Sequence, residues 1–504
     1  MVFIMKANAQ QPYTSVSANS LNGGLNSRGL LFDSSGSSGL KAGILSFANR
    51  AGLWLSATDS AGNIRVAAHN ISSGVNHDFW PGPLEIKTGN AANPSSWDYA
   101  YGVNRSQINY HMLHYRDNGY TPEQAIALWP GSKGDPYDQV LAPFVDNNIN
   151  NKIYEPANGD YPYLTADAIA YSIANDNYAT HPYSGALPLG VEVQTSLYAF
   201  SGQDSFLSRA IFVRYVVHNR SGRDYSNFRA SAVTNFRTGA TENEYLGTCI
   251  PYKTLFSLND TNEATFKGRL VSLGCMAFNQ SMSSTMYYNS DNNPINGAPA
   301  APADFMRLMQ GRWKNGAALR YGGNGTDGTA TADYIYPYTG DNKNNNVMWS
   351  ESSVGNTSGN RIGILNTDST VLKAGSAREY EFVYFIVDEK FVNIKQIDYF
   401  CSKLYSKLAE KKMLDLTTFK DKKSLSFYAY PNPVKAGEKM GISMKQEIAM
   451  GITLYDYSGR EICKFDLPET ENSIILPAGL TEGLYFIEYK TLNTTERQLI
   501  KITN

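Results

Sequence analysis

The chain has 504 residues and a formal net charge of −2, a balance that gives no electrostatic reason for a nucleic-acid or anionic-membrane partner. Only 18% of residues are charged, whereas 34 tyrosines and 42 glycines suit β-sheets joined by many turns. There is no run of about 18 apolar residues, which excludes a transmembrane helix.

The first stretch, MVFIMKANAQQPY, has a short apolar patch from Val2 to Met5 followed by Ala7-Asn8-Ala9. Ala-x-Ala before Gln10 is the small-residue pattern that signal peptidase cuts, so residues 1–9 read as a truncated signal-peptide remnant; the other reading is a disordered tail. Residues 10 to about 45, rich in Ser, Gly and Asn, are expected as extended, loosely packed strands. GLWLSATDSAGNIRVAAHN reads as two strands around the turn Asp59 to Asn63. Ile108, Met112 and Tyr115 fall at helical intervals, and Thr121-Pro122-Glu123 opens a second short helix with proline in its first turn.

The clearest strands follow. Leu189, Val191 and Val193 alternate with Gly190, Glu192 and Gln194, and AIFVRYVVHN alternates Ile211, Val213, Tyr215 and Val217. The turn Asn219 to Gly222 leads to NFRASAVTNF as a hairpin partner. Residues from about 279 to 360 read as loops, after which EYEFVYFIVDE is a long strand with Tyr380, Phe382, Tyr384 and Ile386 on one face. Strands apolar on both faces belong inside a two-layer β structure. Ile394, Ile397, Cys401, Leu404 and Leu408 form one apolar stripe of a helix, which runs out into the charged linker AEKKMLDLTTFKDKKS. Beyond it lie a hairpin turning at Ser458-Gly459, a strand from Gly483, and a closing RQLIKI. The four cysteines, Cys249, Cys275, Cys401 and Cys463, have no zinc spacing; a Cys249–Cys275 bridge and buried thiols are both compatible with the sequence.

The last module opens on Tyr430-Pro431-Asn432-Pro433 and continues through Leu454-Tyr455-Asp456, Ser458-Gly459-Arg460, Leu480-x-x-Gly483-x-Tyr485 and Lys501-Ile502. In this order it resembles the type A C-terminal sorting domain of proteins exported by the type IX secretion system of Bacteroidetes bacteria. The resemblance implies a small Ig-like sandwich that engages the type IX translocon through residues 426–504. It also implies Sec export behind a signal peptide, passage across the outer membrane, and usually removal of this domain on release or surface anchoring. The body resembles large uncharacterised surface proteins of the same bacteria through GLWLSATDSAGNIRVAA, DFWPGP, PFVDNNINNKIYEPANGDYP and LGVEVQTSLYAF.

Several stretches are candidates for chemistry. In VDNNINNKIYEPANGDYP, Asp146, Asn148 and Asn150 alternate as calcium loops present oxygens, with the Lys152 carbonyl, Glu155 and Asp160 as further ligands. Proteins that resemble this chain read D-x-N-x-D-G here, so Asn150 and Asn151 replace an acid and a glycine. The competing reading is an Asn-rich turn held by Asx hydrogen bonds. His111 and His114 share a helix face without completing a zinc motif. Glu192, with Asp176 or Asp160, is a candidate carboxylate pair, against a plain outward-facing position on a half-exposed strand. Trp54, Trp80, Trp97, Trp313 and Trp349 are sugar-stacking or core residues. No G-x-S-x-G elbow or phosphate loop is present.

The expected architecture is mainly β. A multi-domain β-sandwich body spans 10–390, with small helical insertions and a candidate sub-boundary near 180. An amphipathic helix and linker occupy 391–425, and the sorting sandwich 426–504. The expected function is that of a secreted or cell-surface protein without catalysis, acting in adhesion, glycan binding or surface structure, with structural Ca2+ as its ion and a glycan or another surface protein as partner. The alternatives are an extracellular hydrolase of polysaccharide or peptide, and an accessory component of the secretion or gliding apparatus.

Overall fold

The computed structural model describes residues 12–33, 39–43, 45–72, 74–147, 151–202, 204–239, 242–259, 266–267, 270–388, 394–410, 427–444, 451–456, 460–465, 473–490 and 495–503. The chain divides into two compact units.

The first unit draws on stretches 1–105, 128–143 and 163–415. Its larger sheet has nine strands, running Glu244–Cys249, Thr254–Asn259, Val271–Ala277, Ala377–Asp388, Ala210–Asn219, Val191–Ala199, Ala168–Asn175 and Trp80–Pro81, with Tyr101–Asn104 also paired to Ala168–Asn175. The second sheet has six strands: Met282–Asn289, Arg361–Thr367, Tyr225–Asn235, Arg50–Thr58 and Ile64–Ala68, with Thr370–Leu372 paired to Tyr225–Asn235. All these pairings are antiparallel, so short turns suffice to connect neighbours. Between the sheets lies one core that includes Trp54, Val193, Val213, Tyr215, Phe236, Ile364, Phe382 and Tyr384. The Tyr384 hydroxyl meets Thr234 Oγ1 across it at 3.3 Å.

The alternation read in 210–219 and 377–388 sets the inward face, with Tyr380, Phe382, Tyr384 and Ile386 all in the core. The outer face of the same strand is buried too. Phe385 stacks on Phe400 of the helix Ile394–Glu410, with ring centroids 5.0 Å apart and planes at 15°. Ile397, Cys401, Leu404 and Leu408 of that helix are fully buried, as the stripe requires.

Two stretches differ from their sequence reading. Leu21, Leu25, Leu30, Leu31, Phe32 and Phe47 are buried in the core, so the region before residue 50 is tightly packed rather than loose. The region 279–360 holds the strand Met282–Asn289, which extends the six-stranded sheet, and the helix Pro302–Met309, whose Phe305 packs against Trp54.

The second unit draws on 106–127, 144–162 and 416–504, so it takes in two segments read from sequence as part of the 10–390 body. Its C-terminal part has a three-stranded sheet, Phe427–Tyr430, Lys439–Met444 and Ser473–Ile475, and a five-stranded one, Val434–Lys435, Thr495–Thr503, Gly483–Lys490, Gly451–Asp456 and Glu461–Phe465. They enclose a core of its own that includes Met440, Ile442, Ile452, Leu454, Ile487, Tyr489 and Ile500. No described helix is long and apolar enough to cross a membrane.

Gly274 faces Phe385 in the register of the nine-stranded sheet, and a Cβ there would sit 2.2 Å from the Phe385 ring. Gly274→Ala therefore forces that ring off Phe400, and overpacking of this kind costs about 1–3 kcal/mol. Urea denaturation should show the midpoint falling by the corresponding amount with an unchanged slope.

Candidate functional site

The candidate ion loop lies in the second unit. Its ends are closed by a two-residue ladder in which Tyr161 pairs with Val145 and Pro162 with Phe144. Asp160 is fully buried at the foot of the loop. Its Oδ1 accepts from Asn147 N at 2.8 Å and its Oδ2 from Glu155 N at 2.8 Å. Asp146 Oδ2 accepts from Lys152 N at 2.9 Å, and Lys152 takes a left-handed φ of 60°. Asp146 Oδ1 is buried with no hydrogen-bond partner among the described residues. Burial pushes the Asp160 carboxyl up to about 6 despite the two amides, and the charges of Asp146 and Glu155 push the same way. Asn148 and Asn150 lie outside the described residues. Among the described residues, no three His, Cys, Asp or Glu side chains gather closely enough to hold a metal by themselves.

The helix Arg105–His114 supports this loop. His111 is fully buried, with Nε2 3.1 Å from the Asp160 carbonyl and Nδ1 3.0 Å from the Tyr120 hydroxyl. A carbonyl only accepts, so Nε2 carries the proton and Nδ1 accepts from Tyr120. Burial holds His111 below the ordinary imidazole range, in keeping with a neutral ring. His114 instead pairs with Asp117 at 2.6 Å on the surface. The two histidines thus have separate partners, and only His111 bears on the loop.

The candidate carboxylate pair is placed differently from its sequence reading. Glu192 is fully buried rather than half-exposed. Its Oε2 accepts from Leu84 N at 2.9 Å and its Oε1 from the Gln194 amide at 2.9 Å. Burial pushes the Glu192 carboxyl above the usual carboxylate range, against the pull of Arg220 and these donors. Asp176 is likewise buried and receives Leu189 N at 2.6 Å and Val191 N at 2.7 Å. Its burial raises it, opposed first by the neighbouring His181. Both carboxylates therefore hold main chain together. Trp54, Trp313 and Trp349 are core residues whose indole N–H groups reach the carbonyls of His69, Gly325 and Gly323.

Sequence reasoning passed over Glu381. It stands on the outer face of the Ala377–Asp388 strand, opposite Arg214 in the register, and is 3% exposed. Arg214 binds Glu379 at 2.5 Å and has its Nε 4.0 Å from Glu381 Oε1. Burial pushes Glu381 up to about 8; Arg214 opposes the shift and Glu379 adds to it. The signal was the alternation itself, because fixing Tyr380 and Phe382 inward puts Glu379 and Glu381 together on the other face.

The sorting motif residues have structural partners within the second unit. Tyr430 pairs with Gly441, whose missing Cβ would sit 2.8 Å from the Tyr430 ring. Both Tyr430-Pro431 and Asn432-Pro433 are cis. The Asn432 side chain accepts from Lys501 N at 2.8 Å, and its carbonyl accepts from Arg116 at 3.0 Å. Lys501 Nζ donates to the Leu113 carbonyl at 2.5 Å. Gly483 begins its strand, and the Tyr485 hydroxyl bonds the Thr481 carbonyl at 3.0 Å. Gly459 lies outside the described residues.

For Glu381, a folded value near 8 against an ordinary 4.5 means that the folded state keeps a proton the unfolded chain has lost. Stability then falls as pH rises between these values, at up to about 1.4 kcal/mol per pH unit. Glu381→Gln should flatten that slope between pH 5 and about 8 in urea denaturation. An unchanged slope would mean that Glu381 is ionised in the folded protein.

Residues 428–502 match the family described as the secretion system C-terminal sorting domain. No curated protein matches the chain. Among solved structures a polysaccharide lyase is similar over 62% of this chain, at 11% identity and a TM-score of 0.19, a score that carries no inference. The chain spans 34% of that lyase. The sorting domain at its C-terminal end makes the chain a substrate of the type IX secretion system, addressed to the cell surface or the medium.

Proposed function

We propose that the exported protein is a non-catalytic surface protein, with a role in adhesion, glycan binding or surface structure, and that a calcium ion stiffens its 146–160 loop. The observation that carries the first part is the use made of the buried acids. Asp176 and Glu192, the carboxylates best placed by sequence for acid–base work, spend their oxygens on main-chain and amide donors. A general acid or base has to be within reach of a substrate proton, and these two are fully buried.

The loop's donor set supports the ion. A hard cation wants six to eight oxygens, and Asp146 Oδ1 is a buried carboxylate oxygen with no described partner. Asp160 is raised partly by the charges of Asp146 and Glu155, which a divalent cation would neutralise. Asp146, Glu155 and Asp160 would hold it, joined by Asn148, Asn150 and the Lys152 carbonyl. Its contribution is structural, drawing a long connection into one conformation. The Asx reading of the loop also has support, since Asn151 Oδ1 accepts from Ile153 N at 2.8 Å.

Calcium should raise the melting temperature of the full chain relative to chelator, since a ligand at 100 times its Kd adds about 2.7 kcal/mol. Asp146→Asn should abolish that shift, and protons should compete as pH falls through about 6, the value of Asp160. Equal melting in calcium and chelator would leave the Asx turn as the explanation. For the surface role, protein recovered from the medium should bind members of a polysaccharide panel or bacterial surfaces without turnover. Release of new sugar ends or peptides would overturn the non-catalytic reading in favour of a hydrolase.

A further inference from the structure

Two of the four cysteines come together in the first unit. Cys249 ends the strand Glu244–Cys249 and faces Thr254 across the hairpin. Cys401 lies on the buried stripe of the helix Ile394–Glu410, with its Sγ 3.7 Å from the same Thr254 hydroxyl. Asp398, one turn earlier on that helix, accepts from Cys249 Sγ at 3.5 Å. The two thiols lie within hydrogen-bonding reach of each other, and both residues are fully buried. Cys275 instead has the Tyr384 hydroxyl as its neighbour, and Cys463 belongs to the other unit.

All four cysteines are thiols in this structure. We propose that in the exported protein Cys249 and Cys401 are joined as a disulfide, which fastens the helix Ile394–Glu410 to the edge of the nine-stranded sheet. An exported chain passes through compartments where disulfides form and persist. The oxidant is a protein of the thiol–disulfide oxidoreductase class in its disulfide form. One cysteine loses its proton and attacks an oxidant sulfur, giving a mixed disulfide and one oxidant thiolate. The second cysteine, also deprotonated, displaces the other oxidant thiolate and closes the new S–S bond. Two protons and two electrons thus leave the chain, and the oxidant ends as a dithiol. Burial disfavours the thiolate of Cys401, so the exchange precedes docking of the helix, which then covers the bond. The link closes a long loop, the case in which a cross-link restricts the unfolded chain most.

The test uses the recombinant full chain folded in a glutathione redox buffer, then unfolded, alkylated without reduction, digested and analysed by mass spectrometry. The expected result is a linked pair of peptides containing Cys249 and Cys401 that disappears on reduction, with Cys275 and Cys463 alkylated. Reductant should lower the melting temperature of the wild type and leave that of Cys401→Ser unchanged. Alkylation of all four cysteines without reduction would overturn the proposal, and so would a link from Cys249 to Cys275 or Cys463. The same digest on protein recovered from the medium separates this inference from the export on which it rests. Free thiols there would overturn the disulfide while leaving export intact, and absence of the protein from both the medium and the cell surface would count against export alone.

Discussion

The sandwich depends on a small group of buried polar side chains that ties its two sheets together. His181 places Nδ1 2.6 Å from the Val66 carbonyl and Nε2 2.7 Å from the Asp176 carbonyl. The carboxylates of Asp78 and Asp176 flank it, each 3.8 Å away. Each is also tied to a different sheet: Asp78 accepts from Ala68 N of the six-stranded sheet, and Asp176 from Val191 N of the nine-stranded one. Asp78 further accepts from Tyr183 N and Ser184 N, holding the connection between them. Removing one member of such a buried group leaves its hydrogen-bond partners unsatisfied, at a cost of about 1–3 kcal/mol for each. The group also fixes the relation of the two sheets, because an apolar core is not directional and these hydrogen bonds are.

That constraint explains where the sequence could be read and where it could not. The strands at 210–219 and 377–388 were legible because their inward residues repeat every second position and the repeat is local. The stripe on Ile394–Glu410 was legible for the corresponding helical reason. Glu192 was misread because period-two alternation reports that a residue faces away from the core, and says nothing of what covers the far side. Leu84 N, more than a hundred positions earlier, is what covers it. The strand Met282–Asn289 hid in a polar stretch because its serines and threonine face Asn366 and Thr248, partners visible only after folding.

The loop at 146–160 shows the same division on a smaller scale. The alternation of Asp146, Asn148 and Asn150 and the closing acids Glu155 and Asp160 are local and stand out in the sequence. The contribution of His111 to the placement of Asp160 does not, since the two are joined across a helix and a long connection. His111 and His114 looked like a pair because they are three residues apart. Burial separates them, giving the first to the loop and the second to a surface acid.

The C-terminal module was the most legible part of the chain, and its contacts give the physical reason. Tyr430 covers Gly441, Asn432 grips Lys501, and Tyr485 closes on Thr481. These motif residues brace the module that carries them, so the recognisable pattern and the fold rest on the same side chains. A pattern that the fold needs stays readable wherever the module is attached. In the body, by contrast, polar residues chosen for chemistry by their type alone turn out to brace distant main chain, and residue type does not distinguish a brace from a reactive group. The address is legible because its motif is its own scaffold, while the activity of the body has to be sought on surfaces that its internal bracing leaves uncommitted.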